Sequence, residues 1–245
     1  MENLYRNEIF SLIQARMSSS RLKGKVLFPL GSSTILGQLI DRAKLFSSKV
    51  IVCTSKNKDD NPIEEYCKKS NTECFRGSLN NVFSRFQEAI INKNLKKINW
   101  FARLTGDNPL TSVELANLLI SNISEDLDYL SFNKDLIPIG TGLELINKQT
   151  FLKIKNEELD LQEREHVTLK LYEKNGPYNC KIIDPPLEYR YPEIRLTVDY
   201  KEDYILLKKL FSFNKDITLK YIIDFYNNNK NIFEVNKHCV QKKAR

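Results

Sequence analysis

Residues 9 to 123 alternate short strand-like runs with amphipathic stretches four times over, and this rhythm restricts the fold more than any other feature. The runs at 9–13, 50–53 and 98–104 are mainly apolar and the length of a buried strand, and Glu73–Arg76 can be a brief strand. Between them, residues 34–46 put Ile35, Leu36, Leu39, Ile40 and Ala43 on one helical face, with Ser32, Ser33 and Thr34 as cap candidates. Pro62 suits the first turn of a second helix, whose buried side is Ile63, Tyr66 and Cys67. Residues 81–92 carry Val82, Phe83, Phe86, Ala89 and Ile90 at helical spacing, and Ser112 caps a fourth helix reaching residue 123. Parallel neighbours need a crossover, so repeated strand–helix units imply an α/β fold: a mostly parallel, Rossmann-like sheet with helices on both faces.

The rhythm changes near residue 128. Strands are expected over 129–132, 140–146 and 180–183, and helices over 149–154 and 164–173. We read residues 128–190 as a smaller α+β insertion within a single domain spanning 1–245. A strand at 194–198 and helices at 202–211 and 219–226 complete the chain.

Ligands of open α/β sheets bind beyond the carboxyl ends of the strands, so the residues that follow each strand are the candidates. After the first come Gln14 and Ala15, then three serines, a glycine and the spaced cations Arg16, Arg21, Lys23 and Lys25. Such a stretch is either a solvated basic loop or a cradle of N–H groups, hydroxyls and fixed charge for a phosphate. It has neither the GxxxxGK[ST] of a Walker loop nor the GxGxxG of a dinucleotide fold. The other strand ends offer Thr54 and Ser55; Arg76, Gly77 and Ser78; Arg103 and Asp107; and Asp199. Two carboxylates and several cations at one sheet edge suit nucleotidyl transfer, because carboxylates hold Mg²⁺ and Mg²⁺ bridges phosphate oxygens.

The loop IQARMSSSRLKGKVL resembles the QARxxSxRLPGKxL signature of the sugar cytidylyltransferases, the family that includes the Kdo and sialic acid activating enzymes. The nearest branch is the spore-coat polysaccharide type. Lys23 stands where that family has proline, which loosens the loop and adds charge. RLTGDNPL (103–110) is similar to the family's TGDCPL or QGDEPL segment, with Asn108 as a departure, and LTVDYKEDY (196–204) to its TVDTPEDL. FRGS (75–78) matches a segment near the nucleotide, and REHVT (164–168) one on the sugar side. The resemblance implies the nucleotide-diphospho-sugar transferase type of fold and transfer of CMP from CTP to an acidic, ulosonic-type sugar. It assigns Arg16, Arg21 and Lys25 to the triphosphate and Asp107 and Asp199 to Mg²⁺. Gln14, Ala15, Ser20, Thr54, Ser55, Arg76, Gly77, Ser78 and Arg103 would line the nucleotide. Glu165 and His166 fall on the acceptor side. Glu144 either faces the acceptor or is a plain edge-strand carboxylate. The resemblance further implies a homodimer paired through residues 128–190.

Composition closes off other classes. The net charge of +7 lies largely in lysines scattered among asparagines, and the single Trp100 sits inside a strand, so no nucleic acid is expected. Five widely spaced cysteines without a CxxC pair suit reduced thiols in a cytoplasm rather than a disulfide framework. No apolar run reaches membrane-spanning length, and no membrane partner is expected. The two rival readings are a nucleotidyltransferase acting on a phosphorylated acceptor with another triphosphate, and a non-catalytic nucleotide-binding domain.

Overall fold

A computed structural model describes residues 9–19, 21–93, 95, 98–172, 176–214 and 217–241. The strands are β1 (Ile9–Gln14), the short ribbon β2 (Pro29–Leu30) and β3 (Ser33–Thr34), β4 (Lys49–Ser55), β5 (Glu73–Gly77), β6 (Trp100–Thr105), β7 (Tyr129–Phe132), β8 (Glu144–Asn147) and β9 (Cys180–Ile183). The helices are α1 (Ile35–Phe46), α2 (Asn61–Lys69), α3 (Val82–Asn92), α4 (Val113–Ile120), α5 (Lys148–Lys153), α6 (Leu161–Glu165), α7 (Lys201–Phe213), α8 (Leu219–Asn228) and α9 (Lys230–Phe233). Seven strands form one sheet in the order β5-β4-β1-β6-β8-β7-β9. Neighbours pair in parallel except at β8, which runs antiparallel to both β6 and β7. The sheet is therefore mostly parallel.

Alternation along the central strands splits the core into two layers. Ile9 and Ile13 of β1, Val50 and Val52 of β4, and Trp100, Ala102 and Leu104 of β6 pack with α1, α4, α7 and α8. Phe10, Leu12, Ile51, Cys53 and Phe101 face the other way, onto α3 and α5. On α3 the spacing seen in the sequence is the buried face: Val82, Phe83, Phe86, Ala89 and Ile90 all lie in the core, and the Asn81 side chain caps the helix. Among the described residues, no helix is long and apolar enough to cross a membrane.

Three expected elements differ. Residues 194–198 form no strand of the sheet and make only an isolated bridge, Ile139 to Arg195. All five are buried, polar and apolar alike, but they lie against turns: Leu196 N donates to Ile139 O (2.7 Å) and Val198 N to Asp107 O (2.9 Å). The strand expected over 140–146 is confined to β8, because Gly140 sits at φ 92 and interrupts extended backbone. Its missing Cβ matters, since one would lie 2.5 Å from Thr197 N. The helix expected over 164–173 starts earlier, at α6, where Asp160 and Glu163 form a capping box, and it ends at His166 with φ −102 and ψ 63. Turns follow it, and residue 173 lies outside the described residues.

Candidate active site

The basic loop folds back because Gly24 adopts a left-handed φ of 72 and donates its N–H to Met17 O at 2.9 Å. A single 3-10 turn, Lys25–Leu27, follows and buries Val26, so the Lys25 backbone is fixed and its side chain points inward. The far end of the loop is held by Asp60, which accepts from Met17 N at 2.7 Å and from the backbone and hydroxyl of Ser55. The strand-end residue Ser55 thus serves the loop through Asp60.

Lys25 Nζ donates to Asp107 Oδ2 (2.8 Å) and to Asp199 Oδ1 (2.9 Å), joining the ends of β6 and of the segment before α7. The Arg21 guanidinium reaches the same Asp199 Oδ1 at 2.7 Å and lies over the Tyr200 ring, 5.0 Å from its centroid. Arg195 takes the other oxygen, Oδ2, at 3.1 Å, and pairs through Nε with Asp203 Oδ1 at 2.8 Å. Asp203 also accepts from the backbone N–H groups of Asp199 and Tyr200, both at 2.9 Å, so it caps α7 while positioning Asp199. Burial pushes the Asp199 carboxyl upward, but Lys25, Arg21 and Arg195 outweigh it and hold the group below its ordinary value.

The remaining candidates fall into three groups. Ala15 is buried and donates its N–H to Cys53 O, while Gln14 Oε1 and Thr54 Oγ1 are buried with no partner among the described residues. Arg76 donates to Ser55 O, Asn57 O and Glu64; Ser78 accepts from Asn81 N; Gly77 is buried. Ser20 lies outside the described residues. On the other side, Arg16 pairs with Glu165 at 3.6 Å, which brings the basic loop against α6, and His166 caps that helix.

Glu144 turns inward. It is bonded by Arg103 (3.1 Å), Lys134 (2.6 Å), Tyr129 (2.8 Å) and Thr168 (3.2 Å). Burial raises its pKa and the two cations overcome it, pulling the carboxyl down to about 2 from an ordinary 4.5. A depressed folded pKa means stability that is present above about 4.5 and lost as pH falls towards about 2. Glu144→Gln should therefore destabilise the protein at pH 7 by about 3 kcal/mol, by leaving Arg103 and Lys134 without a counter-charge. It should also flatten the acid limb of stability between pH 4.5 and 2. Urea melts at stepped pH read both effects, and an unchanged acid limb would refute this role.

Sequence reasoning missed Asp60, Arg195, Tyr200 and Arg85. Asp60 reaches Met17 and Tyr200 lies under Arg21, both far away in sequence, and although Arg195 finds Asp199 and Asp203 nearby, no helical or strand period announces that contact. Arg85 is 1 % exposed and none of its three guanidinium nitrogens has a partner among the described residues. Its neighbours Phe83 and Phe86 show only that its helix packs inward.

Comparison with known proteins follows the same outline. The sequence pattern of the cytidylyltransferase family matches residues 10–239. The chain is 34 % identical over 234 residues to the spore coat polysaccharide biosynthesis protein SpsF of Bacillus subtilis, covering 91 % of this chain and 95 % of that one. A solved cytidylyltransferase from Leptospira borgpetersenii is 29 % identical with a TM-score of 0.83, covering 98 % of this chain and all of the other. A CMP:2-keto-3-deoxy-manno-octonic acid synthetase solved with CTP shares the fold, at a TM-score of 0.60 and 13 % identity, over 84 % of this chain and 98 % of that one.

Proposed function

This chain belongs to the cytidylyltransferase family, and from that premise we propose that it transfers CMP from CTP to the hydroxyl of an acidic, ulosonic-type sugar. The observation that carries the reading is the meeting of Arg21 and Lys25 with Asp107 and Asp199 at the carboxyl edge of the sheet. The acceptor oxygen attacks the α-phosphorus in line, the bond to the β-phosphate oxygen breaks, pyrophosphate leaves, and the hydroxyl proton passes to water. Arg16, Arg21 and Lys25 hold the triphosphate and offset the charge that builds on pyrophosphate. Gln14, Ala15, Thr54, Arg76 and Ser78 border the nucleotide, with Ser55 and Gly77 shaping the strand ends. Glu165 and His166, drawn to the loop by the Arg16 ion pair, form the acceptor side.

Mg²⁺ fits the donor set. Two carboxylates from separate segments already share one cation, the Lys25 ammonium, and oxygen ligands of this type suit a hard divalent ion. Asp107 and Asp199 would hold it, and the bound ion would supply positive charge to the phosphates. Likeness to a protein named for spore coat polysaccharide biosynthesis supports a product destined for a surface polysaccharide.

The test is pyrophosphate release with each nucleoside triphosphate, Mg²⁺ and a panel of sugar acids and sugar phosphates. Release with CTP and a 2-keto sugar acid is expected, and release only with another triphosphate or only with a phosphorylated acceptor would overturn the reading.

We further propose a two-fold homodimer built from residues 128–190. β9 is an edge strand of the sheet, and Ile182 on it is 59 % exposed, with Leu187 nearby in sequence at 75 %. Light scattering at micromolar concentration should give twice the chain mass of 28.6 kDa, and the chain mass itself would refute the dimer.

A further inference from the structure

The carboxylate pair has no unmet charge. Arg21, Lys25 and Arg195 face Asp107, Asp199 and Asp203, three cations against three anions, in a cluster where Lys25, Arg195, Asp199 and Asp203 are buried. Both oxygens of Asp199 are engaged, Oδ1 by Lys25 and Arg21 and Oδ2 by Arg195. A divalent cation arriving alone would have to expel the Lys25 ammonium into water-poor surroundings and would still leave the cluster with one surplus positive charge. Water screens little in such a place, so that surplus is costly. A triphosphate arriving with the cation reverses the balance, because its several negative charges take up both the displaced ammonium and Arg21.

We propose that Lys25 is a built-in counter-ion that closes Asp107 and Asp199 to divalent metal in the free protein, and that the triphosphate opens them by drawing the ammonium away. The inference rests on the nucleotidyl-transfer reading above. Lysine suits the task better than arginine, since it is a compact charge on a flexible stem and does not lock onto a carboxylate in a two-pronged fork. The backbone beneath it is fixed: Gly24 N bonds to Met17 O, Leu27 N to Gly24 O (3.0 Å) and Phe28 N to Lys25 O (3.0 Å). Exchange of partners is therefore a side-chain movement, and the loop need not refold. Lys25 holds carboxylates in the free protein and phosphate in the loaded one.

The test uses Mn²⁺ as the metal probe, without nucleotide, and follows free Mn²⁺ by electron paramagnetic resonance. Lys25→Met should bind one Mn²⁺ at least tenfold more tightly than the unaltered protein, whereas Lys25→Arg, which keeps the charge, should not. Equal Mn²⁺ affinity in the unaltered protein and a folded Lys25→Met variant would overturn the proposal. Should that variant fail to fold, crystals of the unaltered protein soaked in MnCl₂ alone and in MnCl₂ with CTP decide the matter. The metal-only soak should leave Lys25 Nζ on both carboxylates and show no anomalous peak there. The soak with CTP should show manganese between Asp107 and Asp199 and Nζ on a phosphate oxygen. Manganese between the carboxylates without nucleotide would overturn the proposal. The metal-only measurements contain no nucleotide, so they stand apart from the pyrophosphate assay, whose failure would instead remove the functional reading.

Discussion

Asp107→Asn should slow pyrophosphate release about a thousandfold, equivalent to ~4 kcal/mol of transition-state stabilisation, with little change in melting temperature. Asparagine keeps the shape and one oxygen but removes the charge that a cation at the phosphates requires. Asp107 is the cleaner of the two positions to alter, since its side chain is 27 % exposed and Lys25 is the ion partner seen there. Its backbone carbonyl, which accepts from Val198 N and holds the two segments together, is untouched by the change. Asp199→Asn should cost at least as much rate, but also some stability. Its carboxylate is 6 % exposed and answers three cations, so neutralising it leaves Lys25, Arg21 and Arg195 with too little negative charge. Single-turnover measurements at saturating CTP and acceptor separate the chemical step from binding. A folded Asp107→Asn/Asp199→Asn protein with near-normal turnover would remove both residues from the reaction.

What the sequence discloses follows from how local each interaction is. The helix α3 and the strands β1, β4 and β6 are legible because a period of 3.6 or 2 reports which side is buried, and both layers of the core obey it. Period 2 does not by itself report a partner strand, nor, where both sides are buried as at residues 194–198, which side faces the core. Residues 194–198 alternate like a strand yet lie across the strand ends, bonded to turns at Ile139 and Asp107. That displacement is useful to the site, because it carries Asp199 over to Asp107. The residues just beyond the strands could be singled out from topology alone, but the contacts among them could not. Lys25 and Asp199 are 174 positions apart, and only the folded chain shows that the ammonium sits between the two carboxylates. Asp60 reads as an ordinary acid before a helix with proline in its first turn, although it fastens the basic loop to β4. Asp203, the third residue of α7, gave a weak local signal, and its main partner Arg195 gave none.

Asp203→Ala should lower the melting temperature by about ten degrees, the largest loss of stability expected from a single change in this cluster. The side chain is 0 % exposed and accepts from Arg195, from the N–H groups of Asp199 and Tyr200, and from Asn236 Nδ2 at 2.8 Å. Alanine removes the charge that answers Arg195 and two acceptors at the first turn of α7. A broken buried pair costs about 3–5 kcal/mol, and in a chain of this size each kilocalorie shifts the midpoint by about 2–4 °C. The damage should reach the reaction as well, because Asp203 fixes the backbone of Asp199 and shares Arg195 with its side chain. Asp203→Asn, which keeps one acceptor for the backbone, should recover part of the melting temperature and part of the turnover. A thermal scan of both variants alongside pyrophosphate release checks the two effects together. A Asp203→Ala protein that melts within two degrees of the parent would show that Arg195 and α7 are held by something else.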